Sequence, residues 1–305
     1  MKSKHVGKRI ISTVNVLVDI AVLFIAMLLL ALAGYALWDS KQIYDAADNT
    51  NYSIYKPISA NDGKSFHELQ EINSDVFSWL HIYGTNIDYP VVQGPDNIKY
   101  MNNNAEGKYS LSGSIFLDVE NSRDFSDFNS ILYGHHMEKK KMFGEIGTFV
   151  ERSVFDSHRY GNLYYDAKDH GVEFFAFVHT DAYDGKIFTS NISEKSRQEY
   201  LDRLLAKAIN KREINVTTED HIVLLSTCSS SSTNGRDILV GRITDEVFKD
   251  AFTETASNDG EIVSGATGIG DSTKEILKFL QLLFLIIVPL LLILILLDRN
   301  RKKHN

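Results

Sequence analysis

The chain has 305 residues, 44% of them hydrophobic, and a formal charge of −8. Its hydrophobicity is concentrated at the two ends, which leaves a middle long enough for one domain with a sizeable core. The acidic balance and dispersed lysines and arginines exclude a basic field for nucleic acid, and one cysteine, Cys228, excludes an internal disulfide.

Residues 1–13 form a basic N-terminus carrying Lys2, Lys4, Lys8 and Arg9. Residues 14–38 follow as a transmembrane helix, nearly unbroken in apolar character from Ile20 to Leu37 and long enough at about 1.5 Å per residue to span a bilayer. Asp19 lies at its cytoplasmic edge. Ala31-Leu32-Ala33 has the small-x-small look of a signal-peptide cleavage site, but the apolar run continues past it, which favours a retained anchor. Residues 39–64 are polar and read as an extracellular stalk leading into a short amphipathic helix near 66–72.

From Val76 the pattern changes to short aromatic and β-branched runs: Phe77–Ile82, Ile87–Val92 and Ser114–Leu117, separated by Gly84-Thr-Asn86, Gly94-Pro-Asp96 and Gly113. Further strands are expected at 130–133, 163–165, 173–179, 222–226 and 238–243. Residues 193–210 stand apart as a helix, with Tyr200, Leu201, Leu204, Leu205, Ala208 and Ile209 at three- and four-residue spacings and Ser193 with Ser196 available for capping. Short strands dominating one helical insert predict a mostly β domain, a closed or nearly closed barrel over 65–248. Residues 249–275 are rich in Ser, Thr, Gly, Asn and Asp and read as a flexible tether. Residues 276–297 form a second transmembrane helix, apolar from Phe279 to Leu297 apart from Gln281 and Pro289, and 298–305 are a basic tail. Both spans carry their basic clusters on the terminal side, so both termini are expected in the cytoplasm and the barrel outside, in a multi-pass cell-membrane protein.

Two strand ends carry the chemistry. Ile222-Val-Leu-Leu-Ser-Thr-Cys228 is an apolar run ending in the thiol, and Arg236 follows eight residues later at the start of the next strand. A nucleophile there is held rigidly yet exposed, and the arginine can reach back to bind a developing oxyanion. Ile131-Leu-Tyr-Gly-His135-His136 supplies two histidines for proton transfer, of which His135, directly after Gly134, is favoured. Taken singly, Cys228 reads more readily as a small buried hydrophobe, Arg236 as a solvated turn residue, and the histidine pair as a turn or half a zinc site. Zinc is disfavoured because adjacent histidines leave a strand in opposite directions and no second ligand pair accompanies them.

Leu225-Ser-Thr-Cys228, Arg236 and Tyr133-Gly-His-His136 together resemble the His/Cys/Arg constellation of sortases, with Leu224 where the family's first threonine would stand. Ile72-Asn-Ser-Asp-Val76 with Trp79, Gly84 to Gly94, Gly113-Ser-Ile-Phe-Leu-Asp118 and Met142-Phe-Gly144 resemble class B members, as does the helix before the cysteine strand. A second span is more like the pilus-assembling class C enzymes, but the Asp-Pro-aromatic lid of that class is not found in the stalk. The resemblance covers about residues 65–247.

What the resemblance implies is transpeptidation. Cys228 would cleave the C-terminal sorting signal of a secreted protein through a thioester, Arg236 would stabilise the oxyanion, and His135 would act as general acid and base. An amine from a peptidoglycan cross-bridge or a pilin lysine would resolve the thioester, without metal or organic cofactor. Tyr133, Ser226, Asn97 and Met101 are the expected substrate-binding residues, with Ser226 on the same strand face as Cys228. A membrane-tethered thiol peptidase that only hydrolyses, and a catalytically silent binding module, are the competing readings.

Overall fold

Strands that bury both faces read as unbroken apolar runs, and the run ending at Cys228 is one of them. The computed structural model describes residues 2–57, 64–230 and 232–253. Most of the expected tether and the second apolar run, 276–297, lie outside the described residues.

Helix α1, Lys2–Ala46, contains an 18-residue stretch of mean hydropathy 2.9 and is the one helix among the described residues long and apolar enough to cross a membrane. The chain divides after Gln42, and the second unit starts at Ile43. In that unit α2, Lys64–Ile72, precedes β1, Val76–Ile82, and β2, Asp88–Val92. Then come β3, Ile115–Leu117, β4, Asn129–Tyr133, and the small hairpin of β5, His136–Met137, and β6, Lys141–Met142. The short helix α3, Arg152–Ser157, leads to β7, Tyr160–Tyr165, and the long β8, Lys168–Asp181. Helix α4, Arg197–Ala206, β9, Ala208–Lys211, β10, His221–Cys228, and β11, Gly235–Thr244, complete the unit.

The strands run β11-β10-β4-β3-β2-β1-β7-β8, and β8 pairs again with β11, closing an eight-stranded barrel with β9 added on β8. The β10–β4 and β2–β3 pairs are parallel, and β11 is antiparallel to both β10 and β8. Alternation sorts the side chains. Val223, Leu225, Leu239, Phe177 and Leu132 join Trp79 and Leu163 in one buried cluster, while Ile222, Leu224, Ile238, Val240 and Val178 pack outward against Tyr200, Leu201 and Leu204 of α4.

The expected helix over 193–210 is shorter than its spacing suggested. A 3₁₀ turn, Glu194–Ser196, leads into α4, which stops at Ala206, and Ala208 and Asn210 instead pair with Val178 and Phe177 of β8. The Asn210 amide donates to the carbonyls of Phe149 and Val150, both at 2.8 Å, so a ladder and two side-chain bonds outweigh the helical period. Ser193 and Ser196 hydrogen-bond each other at 2.9 Å and cap no helix N–H.

Packing reaches beyond the expected limits of 65–248 on both sides. Ala47 is 1% and Tyr52 7% exposed, and Tyr89 donates to the Ala47 carbonyl at 2.8 Å. Asp48 caps the 3₁₀ helix Asn49–Tyr55 and pairs with Lys141, and Lys56 pairs with Asp88 at 2.7 Å. The expected stalk is therefore part of the folded unit over 47–56. At the other end Phe248 stacks on Tyr160 with ring centroids 4.1 Å apart, and Phe252 stacks on His158 at 5.0 Å.

Candidate active site

β10 is buried from Ile222 to Thr227 and exposed at Cys228, so the thiol is the first side chain after the buried run to reach solvent. β11 begins at Gly235, and its Arg236 is the direct partner of Cys228 across the antiparallel pair. Opposed residues point to the same face with Cβ atoms about 4.5–5.5 Å apart, so register places Arg236 and Cys228 side by side on one face. The loop between them is tied by Ser229 N–H to the Gly235 carbonyl at 2.8 Å. Gly235 packs closely there, since a Cβ would lie 2.9 Å from His179 Cε1 and 2.1 Å from Ser232 Oγ and those side chains would have to shift. Arg236 is half-buried, and its Nη1 donates to the Gly235 carbonyl at 3.0 Å.

On the other side of β10, Ser226 pairs with Tyr133 of β4, and the Gly134 N–H donates to the Ser226 carbonyl at 3.2 Å. This parallel ladder delivers His135 beside the end of the cysteine strand. The two histidines then part. His136 enters the β5–β6 hairpin opposite Met142, with Nδ1 buried and unpartnered among the described residues, while His135 Nε2 lies 2.7 Å from the Met101 carbonyl oxygen.

The four expected substrate residues occupy one neighbourhood but differ in character. Tyr133 donates its hydroxyl to Asp118 Oδ2 at 3.0 Å, and the Asn97 amide donates to the same oxygen at 2.9 Å. Burial, then the Asp118 charge, push the Tyr133 phenol far above its usual range. The Met101 side chain is 42% exposed. Ser226 is 2% exposed with its Oγ unpartnered among the described residues, so it sits behind the site.

Sequence reasoning missed two features. Asp118, at the end of β3, is the carboxylate that joins Asn97 to Tyr133, and its only sequence signal is its place closing Gly113–Asp118. A cavity of about 420 Å³ opens near Arg236, lined in part by Thr180, Asp184, Lys207 and Gly235. Thr180 is the β8 partner of Arg236 and donates to Asp184 at 2.9 Å, and Lys207 pairs with Asp184 at 2.9 Å. Burial opposes ionisation of Asp184, but hydrogen bonds from Lys207 and Thr180 outweigh it and hold the carboxyl below its usual value. Among the described residues no group of three or more His, Cys, Asp or Glu could hold a metal ion.

No protein-family model matches the chain. Sortase B of Staphylococcus aureus is 32% identical over 182 residues, which is 58% of this chain and 74% of that protein. A solved mutant form of Clostridium perfringens sortase B is 32% identical with TM-score 0.62, covering 65% of this chain and 97% of its own. Sortase B from the type II pilus of Streptococcus pneumoniae is 45% identical with TM-score 0.52, covering 59% and 98%. An eight-stranded barrel with a thiol and an arginine paired at one strand end, together with these similarities, establishes that the chain belongs to the class B sortases and is a cysteine transpeptidase.

Proposed function

We propose that Cys228 is the nucleophile, Arg236 the group that binds the developing oxyanion, and His135 the general acid and base. The observation that carries this reading is the pairing of Cys228 with Arg236 at the mouth of the β10–β11 hairpin. The Cys228 sulfur attacks the scissile carbonyl, Arg236 holds the oxygen that gains charge, and His135 protonates the leaving amine to give a thioester. An incoming amine reverses the sequence. Loss of one preorganised oxyanion donor costs about 10²–10³-fold in kcat, the scale expected for Arg236→Ala. Transfer of a sorting peptide by the full chain tests this, with mass spectrometry for the thioester. Cys228→Ala abolishes the thioester, and near-normal turnover by Arg236→Ala overturns the role given to that residue.

The donor is a secreted protein with a C-terminal sorting signal, bound along Asn97, Met101 and Tyr133, with the buried Ser226 behind them. Similarity to a sortase B from a type II pilus supports a pilin lysine as the amine acceptor, and a peptidoglycan cross-bridge is the other acceptor of the same chemistry. Competition between a lysine-bearing and a cross-bridge peptide for one thioester distinguishes them. The chemistry needs no metal or organic cofactor, and the donor's own membrane tether gives a reason for the enzyme to be held by apolar helices at 14–38 and 276–297. Both termini are then cytoplasmic and the barrel is extracellular, as the basic clusters beyond each span require. Protease protection of the two ends in intact cells tests the topology.

A further inference from the structure

A carbonyl oxygen has no hydrogen to give, so the 2.7 Å contact between His135 Nε2 and the Met101 carbonyl requires the hydrogen to sit on Nε2. Both partners are held by their own elements. Met101 ends the 3₁₀ turn Lys99–Met101, where Asp96 Oδ1 accepts from the N–H groups of Ile98 and Lys99 at 2.9 and 2.8 Å. The adjoining Tyr100 is fully buried, donates its hydroxyl to Asp75 at 2.8 Å, and accepts Ser114 N–H on its carbonyl at 3.0 Å. On the other side the His135 carbonyl accepts Phe143 N–H at 3.0 Å.

Gly113 lies between them with φ +59°. A Cβ there would stand 2.7 Å from the carbonyl oxygens of both Met101 and Tyr100 and 3.1 Å from His135 Cδ2. Any side chain at this position has to push backbone or ring aside, on a backbone conformation that side chains already disfavour.

We propose that the Met101 carbonyl, admitted to the His135 ring by the bare Gly113, fixes His135 as the Nε2–H tautomer and makes Nδ1 the atom that moves the proton in transpeptidation. This rests on the assignment of His135 as the proton carrier. Among the described residues Nδ1 has no hydrogen-bond partner, which leaves it open to substrate. In acylation Nδ1 takes the Cys228 thiol proton, the S–C bond forms and the C–N bond breaks, and the departing nitrogen keeps the bonding pair and takes that proton from Nδ1. In the second half the incoming amine forms the new C–N bond, the C–S pair returns to sulfur, and Nδ1 takes the amine proton and passes it to the released thiolate. The Nε2 hydrogen stays on Nε2, donated to the Met101 carbonyl, throughout. Gly113 and the Met101 carbonyl are positioning groups, since neither touches the reacting atoms in this scheme.

The experiment is long-range ¹⁵N–¹H correlation of the imidazole rings in detergent-solubilised full chain labelled at histidine. The chain has 10 histidines, and His135 is identified by the signals missing in His135→Gln. The expected result for the neutral ring is a single Nε2–H pattern, and an Nδ1–H pattern or a rapidly exchanging mixture overturns the proposal. Gly113→Ala is expected to turn the single pattern into a mixture and to lower kcat about tenfold or more, as loss of aligned proton transfer does, with KM for the donor peptide within about twofold. Wild-type spectra and kcat in a folded Gly113→Ala overturn the role of Gly113, and if that variant does not fold, the wild-type spectrum decides. The two assignments fail separately. Transfer retained by His135→Gln removes His135 as proton carrier, whereas an inactive His135→Gln with an Nδ1–H wild-type ring removes only the tautomer.

Discussion

Replacing Asp118 tests whether one buried carboxylate joins Asn97 to Tyr133, the last residue of β4 and two residues before His135. Its Oδ2 accepts Tyr133 at 3.0 Å and Asn97 at 2.9 Å, its Oδ1 accepts Glu120 N–H at 3.0 Å, and the residue is 8% exposed. Tyr133→Phe removes one donor but leaves the carboxylate two others, so the cost is that of one hydrogen bond to a charged group, about 1.5 kcal/mol. Asp118→Ala strands a half-buried phenol and a half-buried amide together. At about 1–3 kcal/mol for each unsatisfied group, with the amide at the low end because water reaches it, the sum is about 2–4 kcal/mol. That lowers the ratio of folded to unfolded chain about 30- to 1000-fold. Urea unfolding of the full chain in detergent, read from the fluorescence of Trp79, 1% exposed, measures each loss. The double variant Tyr133→Phe, Asn97→Ala should cost more than the sum of its singles by about 0.5 kcal/mol or more, because each single leaves Oδ2 the other donor and the double leaves it none. Strict additivity, or an Asp118→Ala cost below about 1 kcal/mol, would refute the shared-carboxylate reasoning.

Stability should fall with acid in a window set by two buried imidazoles. Burial lowers the pKa of both His170 and His81, so above about pH 6.5 the folded and unfolded chains bind equally few of these protons. Below it the unfolded chain takes protons first and stability drops until the folded pKa values are passed. His170 is stacked on Tyr165 with centroids 3.8 Å apart, so His170→Phe, which keeps the stack, should flatten the fall in urea midpoint between pH 7.5 and 5.5, and an unchanged slope counts against it. Gly144→Ala would place a Cβ 1.9 Å from the Met137 carbonyl oxygen, and the expected cost is about 2–3 kcal/mol with lost turnover, because the strained hairpin begins next to His135. Tyr52→Ala should cost about 3 kcal/mol in thermal or urea unfolding if 47–56 belongs to the folded unit, and a cost below about 0.5 kcal/mol would restore the free stalk.

Strands whose residues are aromatic or β-branched and bounded by glycine were readable in the sequence, because their period is local. The β5–β6 hairpin was not, since two residues on each side carry no period. β9 was hidden because Ala208 and Ile209 continue the three- and four-residue spacing of α4, and only pairing with β8 decides against the helix. Ala47 and Tyr52 looked like isolated apolar residues in a polar stretch, and what buries them comes from β2 and the segment near Ala105, far along the chain. Within the proposed site, the placement of Cys228, Arg236 and His135 at or beside strand ends was legible, because each follows or opens an apolar run. Asp118 was not, because its partners Asn97 and Tyr133 lie 21 and 15 residues away and only the fold brings all three to one point.

The alternation that makes β10 and β11 legible also governs the charge beside the thiol. Arg236 is followed directly by Asp237, and a carboxylate next to a guanidinium in sequence would ordinarily neutralise it. Successive residues of a strand face opposite ways, so Asp237 shares a face with its partners Thr227 and His179 and gives its carboxylate to His179 Nδ1 at 2.8 Å. Arg236 shares its face with Cys228 and Thr180, and the nearby Asp184 is already committed to Lys207 and Thr180. The contrast with the far side of the barrel is sharp, for Arg159 and Arg242 there converge on buried Glu173 at 2.6 and 2.8 Å. Among the described residues Arg236 has no carboxylate partner. A guanidinium held by strand register and left unneutralised next to the thiol is what oxyanion binding needs, since a preformed ion pair would have to break before the acyl oxygen could take its place. One residue of slip between β10 and β11 would put Asp237, not Arg236, opposite Cys228. With Arg236 as the proposed oxyanion group, the closure of the barrel through β8, which locks that register, serves the proposed chemistry as much as the fold.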